Sequence, residues 1–259
     1  MKKVLLLDGA MGTTINKEID IEIKCKEKIN ILFPEKIENI HKRFIESGSD
    51  FIRANTFNCS EEALKNYGEN IDESYNFALK GAEIAKRISE KYNKKSIGVF
   101  CLPGEKQILG ILDGKVDLIM IETIFNFKLG LESLTLVREV MKRKNIKTPI
   151  MLSFTLCDGG KLYSGERLLD VIDSFIEDDI YSVGINCSCV LKDVENIFEK
   201  LREKLPKLIK ITFHPNMNEG EKTYLNTMKK LLDKNLVDII GGCCGSNYEH
   251  IKKLKELIK

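Results

Sequence analysis

Leu118-Ile119-Met120-Ile121-Glu122-Thr123 is apolar for four consecutive residues and then turns acidic. A strand with one face in water alternates apolar and polar residues. An unbroken apolar run marks a strand covered on both faces, which is the habit of parallel sheets. A long amphipathic helical pattern follows at about 127–144. Working outward, the same unit recurs along the chain. Apolar runs lie at 4–9, 51–57, 96–101, 149–154, 182–187, 207–213 and 237–242. Between and after them, helical patterns are predicted from Pro34 to Ser47, over 60–92 with a break at Gly68, and over 104–113, 166–178, 191–204, 221–234 and 247–258. Pro34 suits a first helical turn and Gly48 a stop. Residues 15–34 read as irregular.

Eight strand–helix units predict an α/β fold, a TIM (β/α)8 barrel formed by a single domain over residues 1–259. A doubly wound open sheet also alternates, but eight units close the barrel count. No linker or shift in composition marks a second domain. Neither GxGxxG after the first strand nor GxxxxGK[ST] occurs, so the two common nucleotide-binding motifs are missing.

The net charge is +2, with 31% charged and 43% hydrophobic residues. That balance fits a soluble globular protein and gives no long-range attraction to nucleic acid or a membrane surface. The apolar run after Met1-Lys2-Lys3 stops at Asp8, too short for an export signal, and no stretch approaches the length of a membrane-spanning helix. The eight cysteines are therefore expected to be reduced thiols in the cytoplasm.

In a TIM barrel, residues at the C-terminal strand ends converge on one mouth. Here they are Asp8, Asn55, Thr56, Cys101, Glu122, Asn186, Cys187, His214, Cys243 and Cys244. Each has an ordinary explanation: an Asx turn at Asp8, a helix cap or lysine pair at Glu122, a loop bond at Asn186. The run Ile239-Ile240-Gly241-Gly242-Cys243-Cys244-Gly245-Ser246 ends the eighth strand. Adjacent cysteines in a strand point opposite ways, but the flanking glycines let the chain turn and aim both sulfurs at one point. Two buried apolar cysteines or a vicinal disulfide are the plain readings. A third cysteine closing the sixth strand, Cys187, favours a metal. Three thiolates can hold Zn2+ with its fourth position open, the habit of a catalytic site. Such a centre suits a substrate thiol better than water, since bound metal removes the thiol proton near neutral pH. Asp8 and Glu122 are then placed to hold an ammonium group on that substrate. Amides of the 9–13 loop are placed to take a carboxylate.

The set Leu7-Asp8-Gly9-Ala10-Met11-Gly12-Thr13, Asn55-Thr56-Phe57, Ile121-Glu122-Thr123-Ile124-Phe125, Gly184-Ile185-Asn186-Cys187 and Gly241-Gly242-Cys243-Cys244-Gly245 resembles the homocysteine S-methyltransferase family, over about 4–258. That family includes the homocysteine-binding module of cobalamin-dependent methionine synthase and betaine–homocysteine methyltransferase. The resemblance implies a TIM barrel, zinc ligands at Cys187, Cys243 and Cys244, and homocysteine amino-group ligands at Asp8 and Glu122. It implies methyl transfer to homocysteine, or a close thiol or selenol, giving methionine. The donors it implies are methylcobalamin, S-methylmethionine, betaine or S-adenosylmethionine. The loops after the third strand and after His214-Pro215-Asn216 are shorter than the family pattern, which leaves the mouth open and favours a donor carried on a separate corrinoid protein. Cys101 and Cys189 lie outside the family ligand set, and each reads either as an ordinary cysteine or as an alternative sulfur near the metal. Two other classes fit the residues: a non-catalytic homocysteine- or zinc-binding barrel acting as a sensor or subunit, and a hydrolytic zinc enzyme. A three-thiolate set and scattered histidines (His41, His214, His250) disfavour the second.

Overall fold

The computed structural model describes residues 3–20, 23–188 and 193–258. Among them, eight parallel strands form one sheet: β1 (Leu5–Leu6), β2 (Phe51–Arg53), β3 (Lys95–Phe100), β4 (Leu118–Ile124), β5 (Ile150–Phe154), β6 (Ile180–Asn186), β7 (Lys210–His214) and β8 (Ile239–Ile240). The surrounding helices are α1 (Met11–Glu18), α2 (Ile29–Leu32), α3 (Pro34–Glu46), α4 (Glu61–Tyr67), α5 (Ser74–Lys91), α6 (Glu105–Asp113), α7 (Phe127–Lys144), α8 (Leu168–Val171), α9 (Val194–Lys204), α10 (Glu221–Asp233) and α11 (Tyr248–Leu257). The strand order β1-β8-β7-β6-β5-β4-β3-β2 runs around a nearly closed TIM barrel. The predicted fold class is borne out.

The remaining seam, between β1 and β2, is stitched by Asp50. Its amide donates to Leu6 O at 2.7 Å, and its carboxylate Oδ2 accepts from the Leu6 amide at 3.1 Å. The same device recurs at the base of the barrel: Asp117 Oδ2 accepts from the Ser96 amide and Asp238 Oδ2 from the Ile211 amide. These acids satisfy amides that a tilted, staggered sheet leaves over at its lower rim.

Two apolar layers hold the barrel. Leu7, Phe51, Ile97, Val99, Leu118, Met120, Met151 and Ile239 fill its interior. A larger layer, including Phe44, Phe100, Ile121, Phe154, Phe198 and Phe213, packs the outside of the sheet against the helices. Each fully buried side chain of this size contributes roughly 1.5–3 kcal/mol relative to exposure. Because strand side chains alternate, the next inward positions above Phe51 and Met120 are Arg53 and Glu122. The interior thus changes from apolar to charged near the mouth.

Three local expectations are corrected. Residues 15–34 are not irregular throughout: α1 reaches Glu18, and α2 lies at Ile29–Leu32. Gly12, Thr13, Thr14 and Ile15 are poor helix formers, and burial of Thr14 and Ile15 organises the turn instead. The 166–178 helix is only α8 followed by a 3-10 turn at Ile172–Phe175. There Phe175 is held edge-on to Phe154 and Phe127, with ring centroids 5.2 and 5.8 Å away. Strands β1 and β8 are shorter than predicted, because their glycine-rich ends leave the ladder and build the mouth. The start of the predicted 191–204 helix lies outside the described residues.

Replacing Asp50 with Ala should lower stability by about 1–3 kcal/mol, because it strands a buried amide at the seam. Urea unfolding followed by circular dichroism measures this, and Asp50→Asn should recover part of the loss.

Candidate metal centre at the barrel mouth

Cys187 and Cys243 arrive from opposite sides of the β7 end. Cys187 follows β6 directly and has φ +44°, a left-handed conformation uncommon outside glycine. Thr123, just after Glu122, has φ +65°, which is costly for a β-branched residue. Asn186, the residue before Cys187, ties the two strand ends together. Its Oδ1 accepts from the Thr123 amide at 3.1 Å and from Ser153 Oγ at 2.8 Å, and its Nδ2 donates to Thr123 Oγ1 at 2.9 Å. Asn186 is therefore more than a loop bond: it locks the strand ends that carry Glu122 and Cys187.

The double-cysteine loop is fixed by neighbours on three sides. Cys243 N donates to Pro215 O at 3.0 Å, and Met217 N to Cys244 O at 3.0 Å. Ser246 Oγ donates to Cys243 O at 2.7 Å and accepts from the Ala10 amide at 3.1 Å. A Cβ on Gly242 would lie 2.3 Å from that hydroxyl, so only glycine fits there. Gly245, at φ +84°, makes the turn that returns the chain to α11.

The three predicted ligand sulfurs, Cys187, Cys243 and Cys244, converge within 4.8 Å of one another. Cys244 Sγ is 3.5 Å from Cys187 Sγ and 4.0 Å from Cys243 Sγ. Cys187 and Cys243 are joined as a disulfide. The expectation of reduced thiols fails at this pair, and the pairing is not the vicinal one, because the fold brings these two sulfurs from separate strands into bonding contact. Cys101 stands apart from the cluster. Its thiol donates to Thr123 O at 3.5 Å, and burial together with the Glu122 charge pushes it up to about 12, so it is a protonated donor at neutral pH. Cys189 lies outside the described residues.

The two predicted acids meet a group that the sequence reading did not single out. Arg53, from β2, is 7% exposed and lies between them. Its Nε donates to Asp8 Oδ1 at 2.7 Å and its Nη1 to Glu122 Oε1 at 2.6 Å. Its Nη2 donates to the carbonyls of Asp8, Gly9 and Gly242 at 3.1, 2.9 and 2.7 Å. Asp8 Oδ2 accepts from the Arg53 amide at 2.8 Å. Asp8 is fully buried and is not among the residues that line the cavity; its carboxylate is engaged by Arg53. Glu122 does line the cavity, and its Oε1 also contacts His214 Nε2 at 2.9 Å. Burial opposes ionisation of Glu122, but the Arg53 charge and the hydrogen bonds from His214 and Arg53 hold its carboxyl down at about 2. Burial depresses His214 in turn, so its ring is neutral. The signal for Arg53 was present in the sequence: a charged residue at an inward position of an apolar strand demands buried acids.

The mouth cavity has a volume of about 320 Å3 and is lined by the first turn of α1, Lys24, Lys26, Arg53, Glu122 and all three cysteines. A larger hollow of about 830 Å3 lies at the opposite end, against Pro149, Ile180 and Leu208, away from the thiols. Asn55 lines the cavity as expected and also braces a loop, its Nδ2 donating to Lys26 O and Asn30 Oδ1, whereas Thr56 does not line it and its Oγ1 donates to Val99 O.

Fold and site together define a (β/α)8 barrel with a three-cysteine cluster at its catalytic face. The chain matches the profile described as Homocysteine S-methyltransferase over residues 5–105 and 104–258, and it belongs to that family. Among solved structures it is similar to the homocysteine methyltransferase MmuM from Escherichia coli in three forms. The oxidised form has TM-score 0.80 and 21% identity, covering 98% of this chain and 95% of that one. The metallated form has TM-score 0.77 and 20% identity, covering 98% and 96%. The apo form has TM-score 0.75 and 21% identity, covering 99% and 96%. Among the described residues no helix is long and apolar enough to cross a membrane.

The depressed Glu122 carboxyl predicts a pH signature. A lowered acid contributes stability that is complete above its unfolded value of about 4.3 and is lost as pH falls through the folded value. The stability gap between the wild type and Glu122→Gln should be on the order of 3 kcal/mol above pH 5. It should close as the pH approaches about 2. Denaturant unfolding at a series of pH values measures it; a gap independent of pH contradicts the assignment.

Proposed function

We propose that the chain is a zinc-dependent S-methyltransferase that moves a methyl group onto the sulfur of homocysteine or a close thiol, giving methionine or the matching thioether. The observation that carries this reading is the convergence of Cys187, Cys243 and Cys244 at the mouth of a family barrel. Ligands to one tetrahedral zinc at Zn–S of about 2.3 Å lie about 3.8 Å apart. The two non-bonded separations, 3.5 and 4.0 Å, fit that spacing. The third edge fits once the Cys187–Cys243 bond has taken up two electrons from a thiol reductant, which agrees with a protein working in the cytoplasm. The metallated form of Escherichia coli MmuM supports a metal in this reading.

The residues divide the work as follows. Once reduced, Cys187, Cys243 and Cys244, carried on two independently braced loops beside the cavity, would hold the metal. Zinc bound there supplies a substrate sulfur held as thiolate at neutral pH. The Asn186 network fixes the direction of approach. The first turn of α1 lines the cavity, and its N-terminal amides suit a substrate carboxylate. Glu122 presents its remaining oxygen to the cavity, and Asp8 acts on the substrate only through Arg53. In the transfer, the new S–CH3 bond forms as the methyl–donor bond breaks, and the donor keeps the bonding pair. No side chain at the mouth is needed as base for the thiol, which fits neutral His214.

Only residues 101–104 lie between β3 and α6. The mouth is open on that side, which supports a methyl group delivered by a separate corrinoid protein docked over it.

Reduced protein loaded with zinc should hold one zinc per chain, and the triple replacement of Cys187, Cys243 and Cys244 by Ala should hold none. Zinc-edge X-ray absorption should change from three sulfurs plus a lighter atom to four sulfurs on saturation with homocysteine. Zinc that is indifferent to the thiol contradicts the reading and favours a structural metal. A partner-borne donor further predicts that free S-methylmethionine gives turnover at least 100-fold slower than a methylated corrinoid protein, measured by thioether formation.

A further inference from the structure

Arg53 places a permanent cation where two carboxylates would otherwise receive a substrate amine. Guanidinium does not deprotonate in proteins, and its planar fork suits two acids at once. Its hydrogen bonds reach Asp8, Glu122 and three backbone carbonyls. An ammonium entering between the acids would have to expel this group and leave a buried guanidinium without partners, or stand beside it as a like charge. Both are strongly unfavourable in a desolvated site.

The rest of the cavity has the opposite preference. Lys24 and Lys26 line it together with the first turn of α1, and Lys26 Cδ would lie 3.7 Å from a Cβ on Gly12, so the lysine stem lies over that turn. The lining carries three basic side chains, Lys24, Lys26 and Arg53, against two acidic ones, Glu27 and Glu122. Glu27 is already engaged: its Oε1 accepts from the Asn58 amide and Nδ2 at 2.9 and 3.1 Å, and its Oε2 faces Cys25 Sγ at 3.6 Å. A ligand carboxylate thus finds cations and helix amides, while a ligand ammonium finds Glu27 engaged and only the second oxygen of Glu122, held next to a guanidinium.

We propose that Arg53 is a specificity-determining residue that stands in for the substrate's ammonium, so that this chain recognises its thiol substrate as a mercaptoalkanoate, by sulfur and carboxylate, without reading an α-amine. This rests on the cysteines forming a thiol-binding metal site. The test is calorimetric binding of two thiols to the reduced, zinc-loaded protein: homocysteine, and 4-mercaptobutanoate, which differs only in lacking the amine. The expected result is a Kd for 4-mercaptobutanoate within threefold of that for homocysteine, or tighter. A site built around an amine would disfavour the desamino thiol by orders of magnitude, and any homocysteine preference above threefold overturns the proposal. Arg53→Met, which frees both acids, should shift the ratio at least tenfold toward homocysteine, whereas Arg53→Lys should keep the wild-type ratio. The wild-type comparison stands even if Arg53→Met does not fold. Binding of neither thiol would overturn the thiol-binding reading itself; binding confined to homocysteine would overturn only the role of Arg53.

Discussion

The ion cluster of Arg53 with Asp8 and Glu122 is the constraint on which the mouth of this barrel depends. One guanidinium ties the end of β1, the inward face of β4 and the backbone at Gly242, one residue before the double cysteine. Burying three charged groups is unfavourable unless every donor finds an acceptor. Here the acceptors are two carboxylates and three carbonyls, so the charges hold the strand ends in one arrangement. Removing one member would leave the others buried and uncompensated. Below the cluster the barrel is filled by aliphatic and aromatic side chains; above it lie the thiols.

A second constraint is backbone conformation. Cys187 and Thr123 take left-handed angles that their side chains disfavour; Asn186 hydrogen-bonds Thr123 directly, and the Cys187 amide donates to His214 O. Strain of this kind persists where the surroundings over-determine it, and it collects at functional sites. Its effect here is geometric. Cys187 turns out of β6 toward Cys243 and Cys244, which reach the same point from β8. The sulfurs approach closely enough either to share a metal or to join as the Cys187–Cys243 disulfide. The two states are mutually exclusive, so the thiol chemistry proposed for the site belongs to the reduced protein.

Much of this was legible in the sequence because its signals are local. Unbroken apolar runs mark strands covered on both faces, and eight of them alternating with amphipathic segments fix the barrel. Cysteines and acids at strand ends must then meet at one mouth, which is why Cys187, Cys243, Cys244 and Glu122 were found together. Where packing decides, the sequence said less. The first helix is made of residues that favour other conformations, and in the predicted 166–178 helix Phe175 packs edge-on against Phe154 on β5 and Phe127 at the start of α7. Arg53 escaped notice because a single arginine in a strand reads as a rim residue until its register turns it inward. The Asp8–Arg53 pair was not legible either, since the two residues lie 45 positions apart in the chain.

The central claim, a single thiol-activating metal on three cysteines, is tested most directly by diffraction from crystals of the reduced protein grown with zinc, with data on both sides of the zinc absorption edge. The account predicts one anomalous peak about 2.3 Å from each of the sulfurs of Cys187, Cys243 and Cys244, with the Cys187–Cys243 bond open and the Arg53 guanidinium still between Asp8 and Glu122. A reduced cluster with no peak, or a peak centred on other residues, would contradict it.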